Sequence, residues 1–177
     1  MSTFTERAHI KERVVKGLNR KFEESMKIIG HITIEHKNAN GDLIELREIK
    51  NLVVSAGKAG IASRINGSGS EAVFTTIAIG TGSTAAAAGD TALGTEITTN
   101  GGQRGASDTI DRTTISVTND AARLIKTFTF TGSFAVTEAG ILNNVSSGGT
   151  LLARQVFAAL NVVSTDTLTF TWRLQVS

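Results

Sequence analysis

The sequence predicts a mainly β fold, an antiparallel β-sandwich or an open barrel, with a helical N-terminal arm and a short helix after a β-hairpin. Short segments of alternating apolar and polar residues recur from residue 28 onward, separated by turns of Gly, Asn, Asp and Ser. Charge is concentrated in residues 1–50, with ten Lys or Arg and eight Asp or Glu, whereas residues 51–177 carry eight of each. We therefore divide the chain into an arm and hairpin, residues 1–54, and a β-sandwich body, residues 55–177.

The arm begins with a helix signal, because Thr3 and Glu6 have the spacing of a capping box. Apolar side chains then recur at every fourth position and form a narrow stripe, which consists of Ile10, Val14, Leu18, Phe22 and Met26. Such a helix is marginal alone and needs a surface that covers the stripe. We predict that the stripe is an interface, on the chain's own body or on another subunit.

A β-hairpin follows the arm. The apolar face of its first strand consists of Ile28, Gly30, Ile32 and Ile34. Residues 38–42 have the composition of a turn, and the return strand is predicted over residues 43–54. The apolar positions of that strand change parity between Leu46 and Ile49, which we interpret as a bulge.

A short helix and a series of strands make up the predicted body. Ser55 is expected to cap the helix, and Asn66 and Gly67 to end it. Residues 83–108 form a long connection of small residues, and connections of this length are usually functional or mobile. The further strands are predicted at residues 73–79, 109–118, 122–131, 151–163 and 167–176, with Phe134 and Val136 continuing the inward face of the third.

The side chains that carry catalysis or bind metals are few. The chain has no Cys, which excludes disulfides, thiolate metal sites and a Cys nucleophile. His31 and His36 are expected on opposite faces of one strand, so we interpret them, with His9, as surface or interface residues. Acid pairs such as Asp108 with Asp111, or Asp120 with Glu138, fit turn caps better than a catalytic pair. We predict no catalytic residue, no metal ligand and no enzyme activity.

Cofactor, nucleic-acid and membrane binding are also not favoured. Residues 80–85 match G-x-G-x-x-A, but no βαβ unit is predicted around them, so we expect no cofactor. The net charge is +2, and glutamates interrupt the basic residues of the arm, so nucleic acid is not the expected partner. Apolar runs are too short for a membrane span, and the first residues lack the apolar core of a secretory signal.

Several segments resemble virion structural proteins of tailed bacteriophages. They are residues 77–84, IAIGTGST, residues 88–96, AGDTALGTE, residues 134–142, FAVTEAGIL, residues 148–154, GGTLLAR, and residues 166–172, DTLTFTW. Residues 40–57, from the hairpin turn into the short helix, are also similar. From these positions we expect Gly80, Gly82, Gly89 and Gly140 to let the backbone turn tightly, and Asp90 or Glu138 to bind turn amides.

The resemblance implies a structural protein of the virion that is assembled in the host cytoplasm and binds other phage structural proteins. Our first hypothesis is a capsid decoration or cement protein, held by its N-terminal arm and associated as a homo-oligomer, preferably a trimer. The alternative is a neck, collar or tail-fibre attachment protein. A third hypothesis, from another class, is a glycan- or receptor-binding module that uses residues 83–108.

Overall fold

Two five-stranded antiparallel sheets make up residues 26–177, which are the residues that the computed structural model describes. The strands are β1 (Ile28–Lys37), β2 (Leu43–Lys50), β3 (Leu52–Val53), β4 (Thr76–Gly80), β5 (Gly105–Ala106), β6 (Thr109–Thr113), β7 (Ala121–Thr129), β8 (Phe134–Leu142), β9 (Leu151–Val162) and β10 (Thr167–Val176). The helix, α1, spans Ser55–Asn66 and lies between β3 and β4.

The strand order is β2-β1-β10-β7-β6 in the first sheet and β3-β9-β8-β4-β5 in the second. One apolar core joins both sheets, with Trp172 and Phe170 of β10 packed in the same cluster as Val136 of β8 and Ile79 of β4. The prediction of a mainly β, antiparallel fold is confirmed, and two sheets around a shared core correspond to the sandwich. The predicted helical arm lies outside the described residues.

The hairpin forms as predicted up to its turn. The side chains of β1 alternate, with Ile32 and Ile34 buried, and Gly41 takes a left-handed φ of 84° in the turn. The prediction of a single return strand over residues 43–54 is wrong. β2 ends at Lys50, and the chain then crosses to the second sheet as β3.

The crossing occurs where Asn51 packs against β1. A Cβ added at Gly30 would lie 1.8 Å from Asn51 Oδ1, so this glycine makes room for the side chain. The bulge predicted between Leu46 and Ile49 is also wrong, because the register shift lies at His36 and Lys37. The change of parity instead places Leu46 on the exposed face and Ile49 on the half-buried face of β2.

The helix ends as predicted, with Gly67 in the left-handed conformation at φ 68°. Ser55 is not its cap, since the capping position is Val54 and no side chain bonds there. The first strand of the body begins at Thr76 rather than at Val73, which is exposed. The strand predicted over residues 109–118 ends at Thr113, because Asp120 accepts hydrogen bonds from the backbone amides that follow and folds them into a loop.

Candidate functional site

A buried cluster of charged side chains joins the second sheet to the loop between β4 and β5. Glu138 on β8 and Arg154 on β9 are 0% and 2% exposed. Arg154 Nε donates to Glu138 Oε2 at 2.9 Å, and its Nη1 donates to Asp90 Oδ2 in the loop at 2.7 Å. The three side chains, which we call the ion cluster, form a continuous carboxylate–guanidinium–carboxylate chain from the sheet to the loop.

Glu138 also binds the backbone of the loop. Its Oε1 accepts from the amides of Gly82 at 3.0 Å and Thr95 at 2.7 Å, and its Oε2 accepts from the amide of Gly94 at 2.9 Å. Burial raises the pKa of Glu138, but the Thr95 and Gly94 amides and the Arg154 guanidinium lower it by more, so the pKa lies below its usual 4.5. The carboxylate is therefore ionised at neutral pH and saturated with donors.

Asp90 and Arg154 complete the attachment of the loop. The amide of Ala87 donates to Asp90 Oδ2 at 3.0 Å. This bond lowers the pKa of Asp90, partial desolvation raises it, and Arg154 lowers it again, with a net decrease. Arg154 Nη2 donates to the carbonyl of Thr84 at 3.1 Å. The ion cluster thus holds the loop at several points between residues 82 and 95.

Glycines let the loop approach this cluster. A Cβ added at Gly82 would lie 2.4 Å from Glu138 Oε1, and one at Gly80 would lie 2.4 Å from the carbonyl oxygen of Thr95. Neither residue has a positive φ, and neither do Gly89 and Gly140. Gly89 does lie in a tight turn, in which the amide of Asp90 donates to the carbonyl oxygen of Ala87 at 3.0 Å. For Gly80, Gly82 and Gly140 the expectation of tight turning is wrong, because each of them lies where there is no space for a side chain.

A second ion pair holds the far part of the loop. Arg104 Nε donates to Glu96 Oε1, and its Nη2 bonds to the other oxygen of the same carboxylate. Arg104 Nη1 donates to the carbonyl oxygen of Gly148 at 2.9 Å, in the turn before β9. The pKa of Arg104 is raised, first by its hydrogen bond to Glu96. The long connection is therefore fastened to the second sheet at both of its halves.

The sequence predicted part of this site. Binding of backbone amides by Asp90 and by Glu138 is confirmed. Arg154, Arg104 and Glu96 were not predicted as a site. For Arg154 a signal was present, because it is the single charge in the strand predicted over residues 151–163.

The acid pairs considered in the sequence lie apart or serve other bonds. Asp120 binds the amides of residues 115–117 beside the first sheet, whereas Glu138 lies in the second sheet. Asp111 accepts from Arg123 Nε at 2.8 Å on the neighbouring strand. The Asp108 carboxylate accepts from the amide of Thr127 at 2.7 Å. These carboxylates bind backbone or arginine and do not form a pair of facing acids.

The two histidines of β1 lie on opposite faces, as predicted. His31 is exposed. The interpretation of His36 as a surface residue is wrong, because it is 4% exposed and its Nε2 lies 3.1 Å from Oδ2 of the buried Asp166. That contact joins β1 to the turn before β10. His9 lies outside the described residues.

An open apolar groove lies between α1 and the first residues of β1. It has a volume of about 250 Å³ and is lined by Met26, Ile28, Val53, Lys58, Ile61, Ala62 and Ile65. Met26, the last residue of the predicted stripe, is 61% exposed. The other four stripe residues, Ile10, Val14, Leu18 and Phe22, lie outside the described residues, so their role as an interface stays a prediction.

One row of basic side chains crosses the outer face of the first sheet. Lys50 is opposite His31, His31 is opposite Arg173, and Arg173 is opposite Arg123. Within residues 26–177, Arg123 is the member of this row that is bonded to a carboxylate, that of Asp111. Like charges directly opposite each other weaken a sheet, so this row costs stability unless an anionic group covers it.

Arg173→Thr is expected to raise the free energy of unfolding by up to about 1 kcal/mol. Thr suits an exposed strand position, and the substitution removes the positive charge that lies directly opposite Arg123. Urea denaturation at low and high salt tests this, with a smaller gain in high salt because of screening. Thr169→Ser, on the same face of β10, serves as a control that leaves the charges unchanged. A loss of stability in Arg173→Thr would contradict the prediction.

The fold and the ion cluster define a small antiparallel β-sandwich with a long loop fastened to one sheet. Among residues 26–177 there is no group of three or more His, Asp or Glu side chains that could hold a metal ion. In the same range no helix combines the length and apolar character needed to cross a bilayer. Comparison with protein-family models, curated proteins and solved structures gave no significant match.

Proposed function

We propose that the chain is a non-catalytic structural protein of a tailed-phage particle, and that it decorates or cements the capsid. One observation supports this above the others. Four of the sequence segments that resemble phage virion proteins meet at the ion cluster, through Gly82, Asp90, Gly94, Glu138 and Arg154. The resembling segments therefore coincide with the residues through which the second sheet holds a surface loop by buried charges.

The cluster suits a structural role better than a chemical one. Glu138 is fully buried and saturated with hydrogen bonds, so it has no free lone pair or solvent access for general acid or base work. What it provides is a loop of fixed shape on the surface of the sandwich. A fixed loop reduces the entropy lost when a surface binds a neighbouring subunit.

The arm supplies the proposed attachment. Met26 and the groove beside α1 leave apolar surface open where the stripe ends. In the proposed virion, Ile10, Val14, Leu18 and Phe22 continue this surface and are buried against capsid subunits. Each Leu or Phe that is buried contributes about 1.5–3 kcal/mol.

Deletion of residues 1–25 is expected to abolish attachment of the purified protein to particles of its phage that lack it. The cut leaves Lys27 in place, so its backbone bonds to Ser177 are retained. Leu18→Ser with Phe22→Ser should weaken attachment at least about tenfold, because a loss of 1.4 kcal/mol is already tenfold. Asn19→Ser with Lys21→Ser, off the stripe, is the matched control. Undiminished binding without residues 1–25 would contradict the proposal.

The position of the protein on the particle distinguishes capsid decoration from attachment at the neck or tail. A capsid decoration protein occupies the repeated lattice of the head, whereas a neck, collar or tail-fibre attachment protein is confined to one vertex. Imaging of particles that carry the gold-labelled chain gives the location directly. Label over the whole head is the expected result, and label at one vertex would replace decoration with attachment at the neck or tail.

A further inference from the structure

The apolar groove beside α1 lies at the point where residues 1–25 join the rest of the chain. Met26 and Ile28 line it from the start of β1, and Ile61 and Ile65 line it from α1. Met26 and Ile65 are 61% and 70% exposed. Within residues 26–177 nothing covers this concave apolar surface, so its occupant has to come from the preceding residues or from another molecule.

The backbone beside Met26 is fixed. The amide of Lys27 donates to the carbonyl oxygen of Ser177 at 2.7 Å, and the amide of Ser177 donates to the carbonyl oxygen of Lys27 at 2.9 Å, which extends the pairing of β1 with β10. Phe22 is four positions before Met26. Four residues span at most about 14 Å, so the Cα atom of Phe22 cannot lie farther than that from the Cα atom of Met26.

We propose that, in the free protein, the groove holds the side chain of Phe22 of the same chain. The groove has a volume of about 250 Å³. A phenyl ring fits such a space, because a cavity of about 150 Å³ already binds benzene. Burial of a phenylalanine side chain favours the occupied groove by about tenfold to a hundredfold. We call the groove with Phe22 in it the arm seat.

The sequence around Phe22 supports it as the occupant. It is the only apolar residue within residues 19–25, and Glu23 follows it directly. Lys58 lines the groove and supplies a positive charge beside the apolar side chains. Exposed ion pairs contribute little to the free energy of association. The acid therefore orients the segment, and the aromatic ring provides the binding.

The short connection to Met26 favours the chain's own Phe22 over that of a second copy. A side chain on a short tether is present at its site at an effective concentration of millimolar order. A second copy in dilute solution supplies a far lower concentration, and it has to bring its own occupied or empty groove alongside. The arm seat is therefore assigned within one chain.

The arm seat also affects attachment to a particle, and this step rests on the proposed function. In that attachment Phe22 is buried against capsid subunits, so the groove and the capsid compete for one side chain. A molecule with an occupied seat has to release Phe22 before it attaches, which lowers its apparent affinity. The free protein thus keeps part of its own attachment surface covered.

The δ1-methyl resonances of isoleucine test the arm seat in the full chain, because an aromatic ring shifts the resonance of a methyl group that lies against its face. Phe22→Leu is expected to move the resonances of Ile61 and Ile65 and to leave that of Ile110, on β6, in place. Phe4→Leu, which removes the other aromatic residue of the arm and lies off the stripe, is the matched control. Unchanged Ile61 and Ile65 resonances in Phe22→Leu, or equal changes in Phe4→Leu, would overturn the proposal.

A mixture of chains identifies the source of the ring. Isotope-labelled Phe22→Leu is mixed in urea with an excess of unlabelled natural chain, and the two are refolded together. If each groove holds its own Phe22, the labelled Ile61 and Ile65 methyls keep the positions of the pure variant at every ratio. A return toward the natural positions would mean that a second copy provides the ring, and would overturn the assignment to the same chain.

Competition with the particle is tested by a change in the groove that leaves the stripe intact. Ile65→Ser should bind particles that lack the protein up to about tenfold more tightly than the natural chain, because more molecules have Phe22 free. Val73→Ser is the matched control, since Val73 is 52% exposed and does not line the groove. Unchanged or weaker binding by Ile65→Ser would overturn the competition. Absence of particle binding in every variant, with the methyl shifts as expected, would contradict the proposed function and support the arm seat.

Discussion

Glu138→Ala is expected to lower the free energy of unfolding by about 3–5 kcal/mol, because removing one partner of a buried ion pair leaves the other charge uncompensated. Arg154, 2% exposed, would keep Asp90 as its remaining carboxylate partner. The amides of Gly82, Gly94 and Thr95 would lose their acceptor. Domains of this size have about 5–15 kcal/mol in total, so the variant is expected to be marginal or unfolded at 25 °C.

Urea denaturation followed by tryptophan fluorescence measures this change, since the single Trp, Trp172, is fully buried. The control is Asp111→Ala, which breaks an arginine–carboxylate pair with side chains 31% and 38% exposed. Exposed pairs contribute about 0–1 kcal/mol, so this variant should differ little from the natural protein. Equal losses of unfolding free energy in the two variants would contradict the prediction that the buried pair contributes more than the exposed one.

Acid should act on the same cluster. The pKa of Glu138 is lowered in the folded chain relative to its usual 4.5, so the ionised cluster contributes its full stability above that value. As pH falls below about 4.5, the unfolded chain binds the proton first, and stability is lost progressively until the folded pKa is passed. Glu138→Gln removes this titration. Its stability should therefore change less between pH 5 and pH 3 than that of the natural protein, in urea titrations at about these pH values.

Local alternation accounts for what the sequence predicted well. In β10 every second residue from Leu168 to Leu174 is buried, and the same rule places Ile32 and Ile34 in β1. Such periodicity depends on neighbours within a strand, so it can be read without knowing the partner strands. The end of α1 at Gly67 is equally local, because it requires a residue that tolerates a positive φ.

Long-range pairing accounts for what the sequence did not predict. The side chain of Asn51, where the chain leaves the first sheet, occupies space that Gly30 on another strand leaves open. The ion cluster joins Arg154 to Asp90, which is 64 positions away. Neither contact has a local period. Asp90 and Glu138 were nevertheless predicted to bind turn amides, whereas Arg154, which lies in another of the resembling segments, was assigned no role.

Substitution of a glycine in the loop between β4 and β5 is also expected to change the stability strongly. Gly82→Ala is expected to lower the free energy of unfolding by about 1–3 kcal/mol, the usual cost of adding a methyl group where there is no space. The new Cβ would lie 2.4 Å from Glu138 Oε1, which accepts hydrogen bonds from the amides of both Gly82 and Thr95. To relieve the overlap, the loop has to move away from the carboxylate and lengthen those bonds.

Gly89→Ala is the matched control in the same loop. Nothing lies within 4 Å of a Cβ at Gly89, and its φ is not positive. It should be neutral or more stable by up to about 1 kcal/mol, because alanine restricts the unfolded chain. Hydrogen exchange of the Gly94 and Thr95 amides gives a local readout, and it should accelerate in Gly82→Ala alone. Equal stability and equal hydrogen exchange in the two variants would contradict the prediction. They would mean that the close approach of the loop to Glu138 does not require glycine at position 82.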